Sequence, residues 1–431
     1  MPTVRATRAV KSCRFALEPH LRRTLACRQF NGPVPKEVIR VMKFDHKIDW
    51  KGRSRLTWEA MEPSFGVSPE DGIPMWVADM DFEPAPFLLD TVRDLAGKGH
   101  LGYFTGLDSY RKAVAWWMST RHGWDIDPDW VVVTAGLGNG IAMMLQALTD
   151  PGDEVIMFSP VYHEFRMKVQ RAGRVAREFP LARTETSFEM DLDRYEQMLS
   201  GRERVVLFSS PHNPGGRIWT AAELAVLADF CDRHDLILVS DEIHHDIVFP
   251  GQSHTVMPLA APQARDRTIM MTSASKVFNV AGLRTGNVII ENDEMRGRLS
   301  DFMNSINLQP NLFGVKVCEA AFSPRGAEWV DQLCAYLAGN ARLFEEAVDA
   351  IPGVTATRMQ GTYLAWLDFA GTGMEMDEVR DRVYRQARLC PTPGVDLGPG
   401  GETCLRFNLG APRATIEEAA TRLARAFSDL Q

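Results

Sequence analysis

The chain has 431 residues, of which 45% are hydrophobic and 24% are charged. This composition is typical of an ordinary soluble protein, and the length predicts two or three domains rather than one small core. The formal net charge of -8 argues against a nucleic-acid-binding protein, because such proteins usually carry a basic face.

The first 42 residues differ from the rest in charge. They contain nine lysines and arginines but only two acidic residues, Glu18 and Glu37. A basic, acid-poor start is compatible with a transit peptide. The alternative is an extension upstream of a start at Met42, which we favour because the segment has no amphipathic period. We therefore expect residues 1–42 to be a disordered or non-native extension.

The middle of the chain alternates short apolar runs with helical patterns. Strands are predicted at 130–134, 154–158, 205–208, 236–239 and 268–271, and helices at 141–148, 162–172 and 221–234. Short apolar strands separated by helices predict an α/β fold with a mostly parallel sheet and helices on both faces.

After residue 325 the pattern predicts a smaller α/β domain. Helices are expected at 329–350, at 377–388 and from Thr415, and strands at 363–367 and 404–408. We place an N-terminal arm with part of the small domain at 43–87, the large domain at 88–325 and the C-terminal small domain at 326–431.

The seven cysteines are scattered and form no Cys-x-x-Cys pair, so they predict neither a zinc site nor a disulfide framework. This usage indicates a reducing cytoplasm. No apolar run approaches the ~18 residues that a membrane-spanning helix needs. We expect neither a nucleic-acid nor a membrane partner.

Lys276 follows the apolar run 268–271 and two serines, Ser273 and Ser275. Partial burial lowers the pKa of an amine, and a neutral amine forms a Schiff base with an aldehyde. The two serines and Arg284 are suited to holding a phosphate nearby. An aldehyde with a phosphate handle is pyridoxal 5'-phosphate (PLP), which this segment predicts as the cofactor. For the segment alone, a solvated lysine on a turn is the alternative.

Two other strand ends carry polar residues. Asn213 lies between two turn residues, where its carboxamide is suited to a phenolate oxygen, although an Asn-Pro turn also explains it. Asp241 ends a strand at the edge where α/β sheets bind ligands. A carboxylate there would keep a pyridine nitrogen protonated.

Tyr162, just past a strand, is suited to stacking on a flat cofactor, although such a residue alone is more often in the core. Arg406 lies inside an apolar strand and needs an anionic partner, such as a substrate carboxylate. The segment from Gly136 to Gly140 predicts a small-residue turn that approaches an anion, with a purely structural turn as the alternative.

Glu242, His244 and His245 are metal ligands by type, but no ligand set closes convincingly among them. Structural use explains them better, and we expect no metal site.

The motifs Asn-Pro-x-Gly, Ser-Asp-Glu and Ser-x-Ser-Lys occur in this order. Over about residues 43–431 the chain resembles the fold-type I PLP enzymes of the aspartate aminotransferase superfamily. Within that superfamily it is most similar to the MalY/PatB group of cysteine-S-conjugate β-lyases. The segments that carry this similarity are 74–82, 102–103, 211–214, 240–244, 361–368 and 411–413.

The resemblance implies a role for each matching residue. Lys276 would carry PLP and act as the base, Asp241 would pair with the pyridine nitrogen, and Asn213 would contact the ring hydroxyl. Tyr162 would stack on the ring. The other implied contacts are those of Ser273, Ser275, Arg284, Leu137 and Gly138 with the phosphate, of Tyr103 with the phosphate of the other subunit, of Arg406 with the substrate carboxylate, and of Trp76 and Tyr363 with the substrate.

The resemblance also implies a homodimer and a reaction. A β-lyase of this group would cleave L-cystathionine or a related cysteine S-conjugate to a thiol, pyruvate and ammonia. One departure keeps a second interpretation open, because Leu283-Arg284-Thr285-Gly286 resembles the aminotransferase pattern and many MalY/PatB members lack that arginine. A class I or II aminotransferase is therefore the alternative. A regulatory or binding protein with a PLP fold is a third, minor interpretation.

Overall fold

The computed structural model of the protein describes residues 42–430. Apart from Met42, the predicted N-terminal extension lies outside the described residues. The helices in this range are α1 (Leu56–Glu59), α2 (Met61–Phe65), α3 (Pro86–Gly97), α4 (Leu107–His122), α5 (Leu137–Leu148), α6 (Glu164–Arg171), α7 (Leu192–Glu196), α8 (Ala221–Arg233), α9 (Met257–Ala260), α10 (Asp293–Ser305), α11 (Leu312–Ala321), α12 (Pro324–Asp349), α13 (Met376–Arg380) and α14 (Arg413–Ala426). The strands are β1 (Ile73–Met75), β2 (Val131–Thr134), β3 (Glu154–Ser159), β4 (Val175–Pro180), β5 (Ala182–Arg183), β6 (Phe188–Glu189), β7 (Glu203–Ser209), β8 (Ile237–Asp241), β9 (Thr268–Thr272), β10 (Gly286–Ile290), β11 (Thr355–Ala356), β12 (Leu364–Asp368), β13 (Leu389–Pro393) and β14 (Cys404–Asn408).

The larger sheet has seven strands in the order β2-β10-β9-β8-β7-β3-β4. The neighbours from β9 to β4 pair in parallel, whereas β10 is antiparallel to both β2 and β9. The strands β2, β3 and β9 are buried along their whole length, as expected for a sheet with helices on both faces. The predicted α/β fold and its five predicted strands are confirmed.

Two strands of this sheet were not predicted. β4 is an edge strand with several half-buried residues, so its sequence lacks a continuous apolar run. No α-helix lies between β9 and β10, and β10 runs antiparallel to β9. The βαβ rule that identified the other strands therefore does not apply to it.

Helix α5 begins one residue after Gly136, so the predicted glycine turn is largely the first turn of this helix. Gly136 precedes the helix with a φ of +93°, a conformation that L side chains rarely adopt. Leu137, Gly138 and Gly140 already lie within the helix. The prediction of a loop from 136 to 140 was therefore wrong, while the expectation of exposed backbone N–H groups holds because the first helical turn leaves them unpaired.

The smaller sheet has the order β1-β13-β14-β12-β11. β1 pairs in parallel with β13, so a segment before the large sheet and the C-terminal part of the chain share one sheet. The long helix α12 starts a turn earlier than predicted, because the Ser323 side chain accepts a hydrogen bond from the Gly326 N–H. The predicted helix at 377–388 is divided into α13 and a π-helical stretch, Asp381–Gln386. Within residues 42–430, no helix is long and apolar enough to cross a membrane. The domain limits stay predictions.

Candidate active site

The carboxyl edge of the large sheet gathers the polar residues that the sequence singled out. Register pairs Ser209, the last residue of β7, with Asp241, the last residue of β8, and Asp241 with Met271 of β9. A crevice of about 190 Å³ opens at this edge. Its lining includes Leu137, Gly138, Tyr162, Asn213, Asp241, His244, Ser275, Lys276 and Arg284. A larger cleft of about 410 Å³ around Lys47, Trp58 and Arg422 lies away from this strand edge, so we consider the smaller crevice the functional site.

Lys276 lies in the turn after β9, half-buried, with its side chain across the crevice. Its Nζ donates a hydrogen bond to the Ala78 carbonyl at 2.7 Å. Burial lowers the pKa of Lys276 to about 8, with Arg406 and Arg284 acting in the same direction and Asp79 and Asp241 opposing them. A substantial fraction of this amine is therefore neutral near pH 7–8 and able to act as a nucleophile or a base.

Asp241 is buried at the end of β8. Its Oδ1 accepts a hydrogen bond from the Ile243 N–H at 3.1 Å. Burial raises the pKa of Asp241 to about 7, against the opposing effects of that hydrogen bond and of Lys276. Within residues 42–430, no basic nitrogen lies within 4.0 Å of its carboxylate. A cationic N–H donor in the crevice would therefore stabilise the ionised form.

Arg406 lies on β14 of the smaller sheet, is 3% exposed and contacts Asn213 of the crevice wall. Its guanidinium donates to Asn213 Oδ1 at 3.0 Å, to the Trp76 carbonyl at 2.6 Å and to the Thr392 hydroxyl at 3.1 Å. Its Nε has no hydrogen-bond partner among the described residues, and burial lowers the pKa of Arg406 to about 10. A buried guanidinium held only by neutral oxygens is suited to a carboxylate ligand.

The positive end of α5 also faces the crevice. Leu137 and Gly138 are in its first turn, and both line the crevice. Arg284 is exposed on the same wall and holds a left-handed φ of 49°. A helix N-terminus of this length, an arginine and the Ser275 hydroxyl together form a site for an anionic group such as a phosphate.

The profile described as Aminotransferase class I and II matches residues 73–423. The chain belongs to the class I and II aminotransferase family.

Among its relatives, cystathionine beta-lyase PatB of Bacillus subtilis is 33% identical over 90% of this chain and 100% of its own length. Protein MalY of Escherichia coli is 29% identical over 89% of this chain and 98% of its own. Cystalysin from Treponema denticola, whose crystal structure contains a pyridoxal 5'-phosphate cofactor, has a TM-score of 0.85 and 33% identity, covering 90% of this chain and 99% of its own. The PLP-bound C-S lyase from Staphylococcus hominis has a TM-score of 0.81 and 26% identity, covering 90% and 98%. The predicted membership of the MalY/PatB group is confirmed.

The cofactor of this family member is PLP, as predicted, and the crevice fits it. The buried Asp241 carboxylate lacks a cationic partner among residues 42–430, and the Lys276 amine has a lowered pKa. Asn213 lies beside both on the sheet edge, while the N-terminus of α5 lies opposite. A pyridinium, an aldehyde and a phosphate are the three groups that these residues match.

Eight of the predicted residues line the crevice, whereas Ser273, Tyr103, Arg406, Trp76 and Tyr363 do not. The Ser273 hydroxyl donates to the Thr285 carbonyl at 2.7 Å and accepts the Ser275 N–H at 3.1 Å, so Ser275 faces the crevice and Ser273 lies behind it. Tyr103 is fully exposed and does not line the crevice of its own chain. Their predicted phosphate contacts stay predictions.

The substrate side of the site contains two predicted residues, Tyr363 and Trp76, and one residue, His244, for which only structural use was predicted. Tyr363 is 1% exposed, and its hydroxyl has no hydrogen-bond partner among the described residues. It packs edge-on against His244, with ring centroids 5.8 Å apart. Burial holds the pKa of His244 well below its usual range, and its Nδ1 also lacks a partner among the described residues. Trp76 contacts Arg406 through its carbonyl oxygen, which accepts a hydrogen bond from the guanidinium. The Trp76 ring Nε1–H donates instead to the Thr57 carbonyl.

Asp79 was overlooked. It is the strongest nearby charge that keeps the Lys276 amine protonated, and it pairs with Arg55 at 3.3 Å. The signal was available in the sequence, because Asp79 lies within the segment 74–82 that carries the family similarity. Its role could not be derived locally, since 197 residues separate it from Lys276 in the chain.

Proposed function

We propose that this protein is a PLP-dependent carbon–sulfur β-lyase that cleaves L-cystathionine or a related cysteine S-conjugate to a thiol, pyruvate and ammonia. The observation that carries the proposal is the convergence of Lys276, Asp241 and Arg406 on one crevice of a chain that matches PatB over its full length. The first two residues suit chemistry at an α-carbon, and the third suits an amino-acid carboxylate.

Binding of the substrate is assigned to Arg406. Its fork is fixed by three oxygens from Trp76, Thr392 and Asn213, so little side-chain freedom is lost when a carboxylate arrives. The same contact orients the amino acid, because a bidentate guanidinium–carboxylate pair has a defined plane. Arg406 donates to the Asn213 side chain and to the Trp76 carbonyl. Trp76 lies two residues before Ala78, whose carbonyl accepts the hydrogen bond from Lys276. A carboxylate bound by Arg406 would therefore be held beside the reactive amine.

Proton transfer is assigned to Lys276. PLP, when bound, supplies an electron-accepting ring that stabilises loss of the α-proton, and Asp241 keeps that ring in its electron-accepting form. The Lys276 Nζ, with its pKa lowered to about 8, accepts the α-proton as a general base and returns a proton later as its acid. The nearby Tyr363 hydroxyl and His244 Nδ1 are polar groups available to the distal part of the substrate.

Incubation with L-cystathionine separates the two candidate reactions. We expect thiol, pyruvate and ammonia to appear in equal amounts without any added keto acid, because β-elimination needs no second substrate. The measurement is a coupled assay for pyruvate and thiol, with and without an α-keto acid. Turnover that requires the keto acid and yields a new amino acid without thiol would instead identify an aminotransferase.

The aminotransferase remains the second candidate because of Arg284. Its side chain lines the crevice on the phosphate side, in the position that the aminotransferase pattern assigns to a phosphate contact. The arginine–pyruvate transaminase AruH of Pseudomonas aeruginosa is 28% identical over 82% of this chain and 89% of its own. Both reactions share the steps up to α-proton loss, so Lys276 and Asp241 do not distinguish them.

We further propose that the working unit is a homodimer in which Tyr103 completes the site of the partner. Tyr103 and Leu101 are both strongly exposed, which is typical of an apolar contact surface. Light scattering should give twice the chain mass. Mixing Lys276→Ala chains with Tyr103→Ala chains should restore activity to about a quarter of wild type, because half of the dimers would be hybrids with one complete site. No recovery on mixing, or a fully active monomer, would contradict the shared site.

A further inference from the structure

A second cleft, of about 430 Å³, lies on the other side of the turn that follows Asp241. Two histidines and an aspartate meet in its wall: His122, at the end of α4, and His245 and Asp246, just after β8. Their potential ligand atoms all lie within 4.8 Å of one another. In the sequence, Glu242, His244 and His245 are ligands by residue type only, and no metal site was expected there. In the structure His244 lines the active crevice, and His122, 123 residues before His245 in the chain, lies beside His245 and Asp246 instead.

The two imidazoles converge on one carboxylate. His122 Nε2 lies 2.9 Å from Asp246 Oδ1, and His245 Nε2 lies 3.5 Å from Asp246 Oδ2. Ligand atoms around a tetrahedral zinc ion, with bonds of roughly 2.0–2.1 Å, are separated by roughly 3.4 Å. The His245–Asp246 separation matches that spacing, whereas the shorter His122–Asp246 contact is a hydrogen-bond distance and would open slightly to admit an ion. The cleft on the open side leaves room for water as the remaining ligand.

The surroundings orient each group as metal ligands are usually oriented. His245 Nδ1 lies 2.5 Å from the Glu242 carbonyl, which fixes the proton on Nδ1 and leaves the Nε2 lone pair towards Asp246. The Trp117 Nε1–H lies 3.0 and 3.1 Å from the two oxygens of Asp246 and holds the carboxylate plane. A hydrogen bond to the second nitrogen or oxygen of a ligand is the common arrangement around protein metals.

We propose that His122, His245 and Asp246 form a binding site for a divalent transition-metal ion of the zinc type. Imidazole nitrogens favour zinc and its neighbours over Mg²⁺ or Ca²⁺, which prefer oxygen ligands. The ion would link α4 to the turn between Asp241 and Asp246. The same turn places His244 in the active crevice. A bound ion would therefore stabilise the turn that follows Asp241 at the carboxyl edge of the large sheet.

Calorimetric titration of the chelator-treated, full-length holoenzyme with zinc chloride tests the site. We expect one zinc equivalent whose affinity falls at least 10-fold in His122→Gln and in His245→Asn, a change of the size typical for losing part of a metal's surroundings. His245→Asn retains a donor towards the Glu242 carbonyl and removes only the Nε2 ligand. An excess of Mg²⁺ should not displace the zinc.

The matched control is His234→Gln, which alters a half-buried histidine 2.9 Å from Glu196, outside the cluster, and should leave zinc binding unchanged. Anomalous scattering at the zinc edge should place the ion between His122, His245 and Asp246. The PLP absorbance and the unfolding temperature, both measured without zinc, show whether each variant folds. If one triad variant does not fold, the zinc affinity of the other one tests the site. Absence of zinc binding by the wild-type protein, or binding by both triad variants with the affinity of the wild type, would make the cluster a hydrogen-bonded network only.

Discussion

Replacing Lys276 by alanine is expected to reduce turnover by roughly 10⁴-fold, the upper range for loss of a general acid–base group alone. Its Nζ is the amine with a lowered pKa in the crevice, and alanine leaves no group there to form the covalent bond or move the α-proton. PLP should still bind, weakly, because Asp241, Asn213 and the N-terminus of α5 are unchanged. The measurements are pyruvate release and equilibrium dialysis of PLP.

Borohydride reduction provides the direct readout of this assignment. In the wild-type protein it should fix PLP as a stable adduct on Lys276, located by mass spectrometry of the peptides. Lys51→Ala, which removes a surface lysine 2.8 Å from Glu70, serves as the control and should retain activity and labelling. An adduct on another lysine, or full turnover by Lys276→Ala, would overturn the role of Lys276.

Asp241→Asn should lower kcat by about 10²-fold or more, although it changes the side chain by a single atom. An amide keeps the shape of Asp241 and its contact with the Ile243 N–H, but it removes the charge that holds a pyridine nitrogen protonated. Losses of this size follow removal of other key electrostatic groups in enzymes. The affinity for PLP should fall less than kcat, because the phosphate contacts are untouched.

The control for this substitution is Asp229→Asn, the same chemical change at an exposed aspartate that accepts a hydrogen bond from Gln263. It should behave as the wild type. The pH dependence adds a second readout: burial raises the pKa of Asp241 to about 7, and a bound cation would lower it, so the loss of wild-type activity on acidification should follow protonation of Lys276, whose pKa is about 8, and not protonation of Asp241. Near-wild-type rates in Asp241→Asn would mean that this aspartate is structural.

The catalytic edge was readable from the sequence because each of its residues is tied to a local pattern. Asn213, Asp241 and Lys276 each follow a short apolar run, and parallel strands in one sheet end at the same edge. The family motifs then assigned a role to each side chain.

Other features depend on contacts between distant parts of the chain. Arg406 meets Asn213 across 193 residues and the Trp76 carbonyl across 330. Nothing near Arg406 in the sequence specifies these partners, since an arginine in an apolar strand indicates only that some anion or carbonyl is needed. The Tyr363 hydroxyl, which has no hydrogen-bond partner within residues 42–430, and the effect of Asp79 on the Lys276 amine are likewise properties of the packed site.

The sequence by itself determined five strands of the large sheet, the family and the residues at the carboxyl edge, because short apolar runs and short motifs are local information. The tertiary structure alone decided that β10 runs against its neighbours, that α5 starts at Leu137, and that His122 joins His245 and Asp246. These depend on which surfaces pack together once the chain is compact. Packing is a long-range property, because two side chains that share a site need not share a segment.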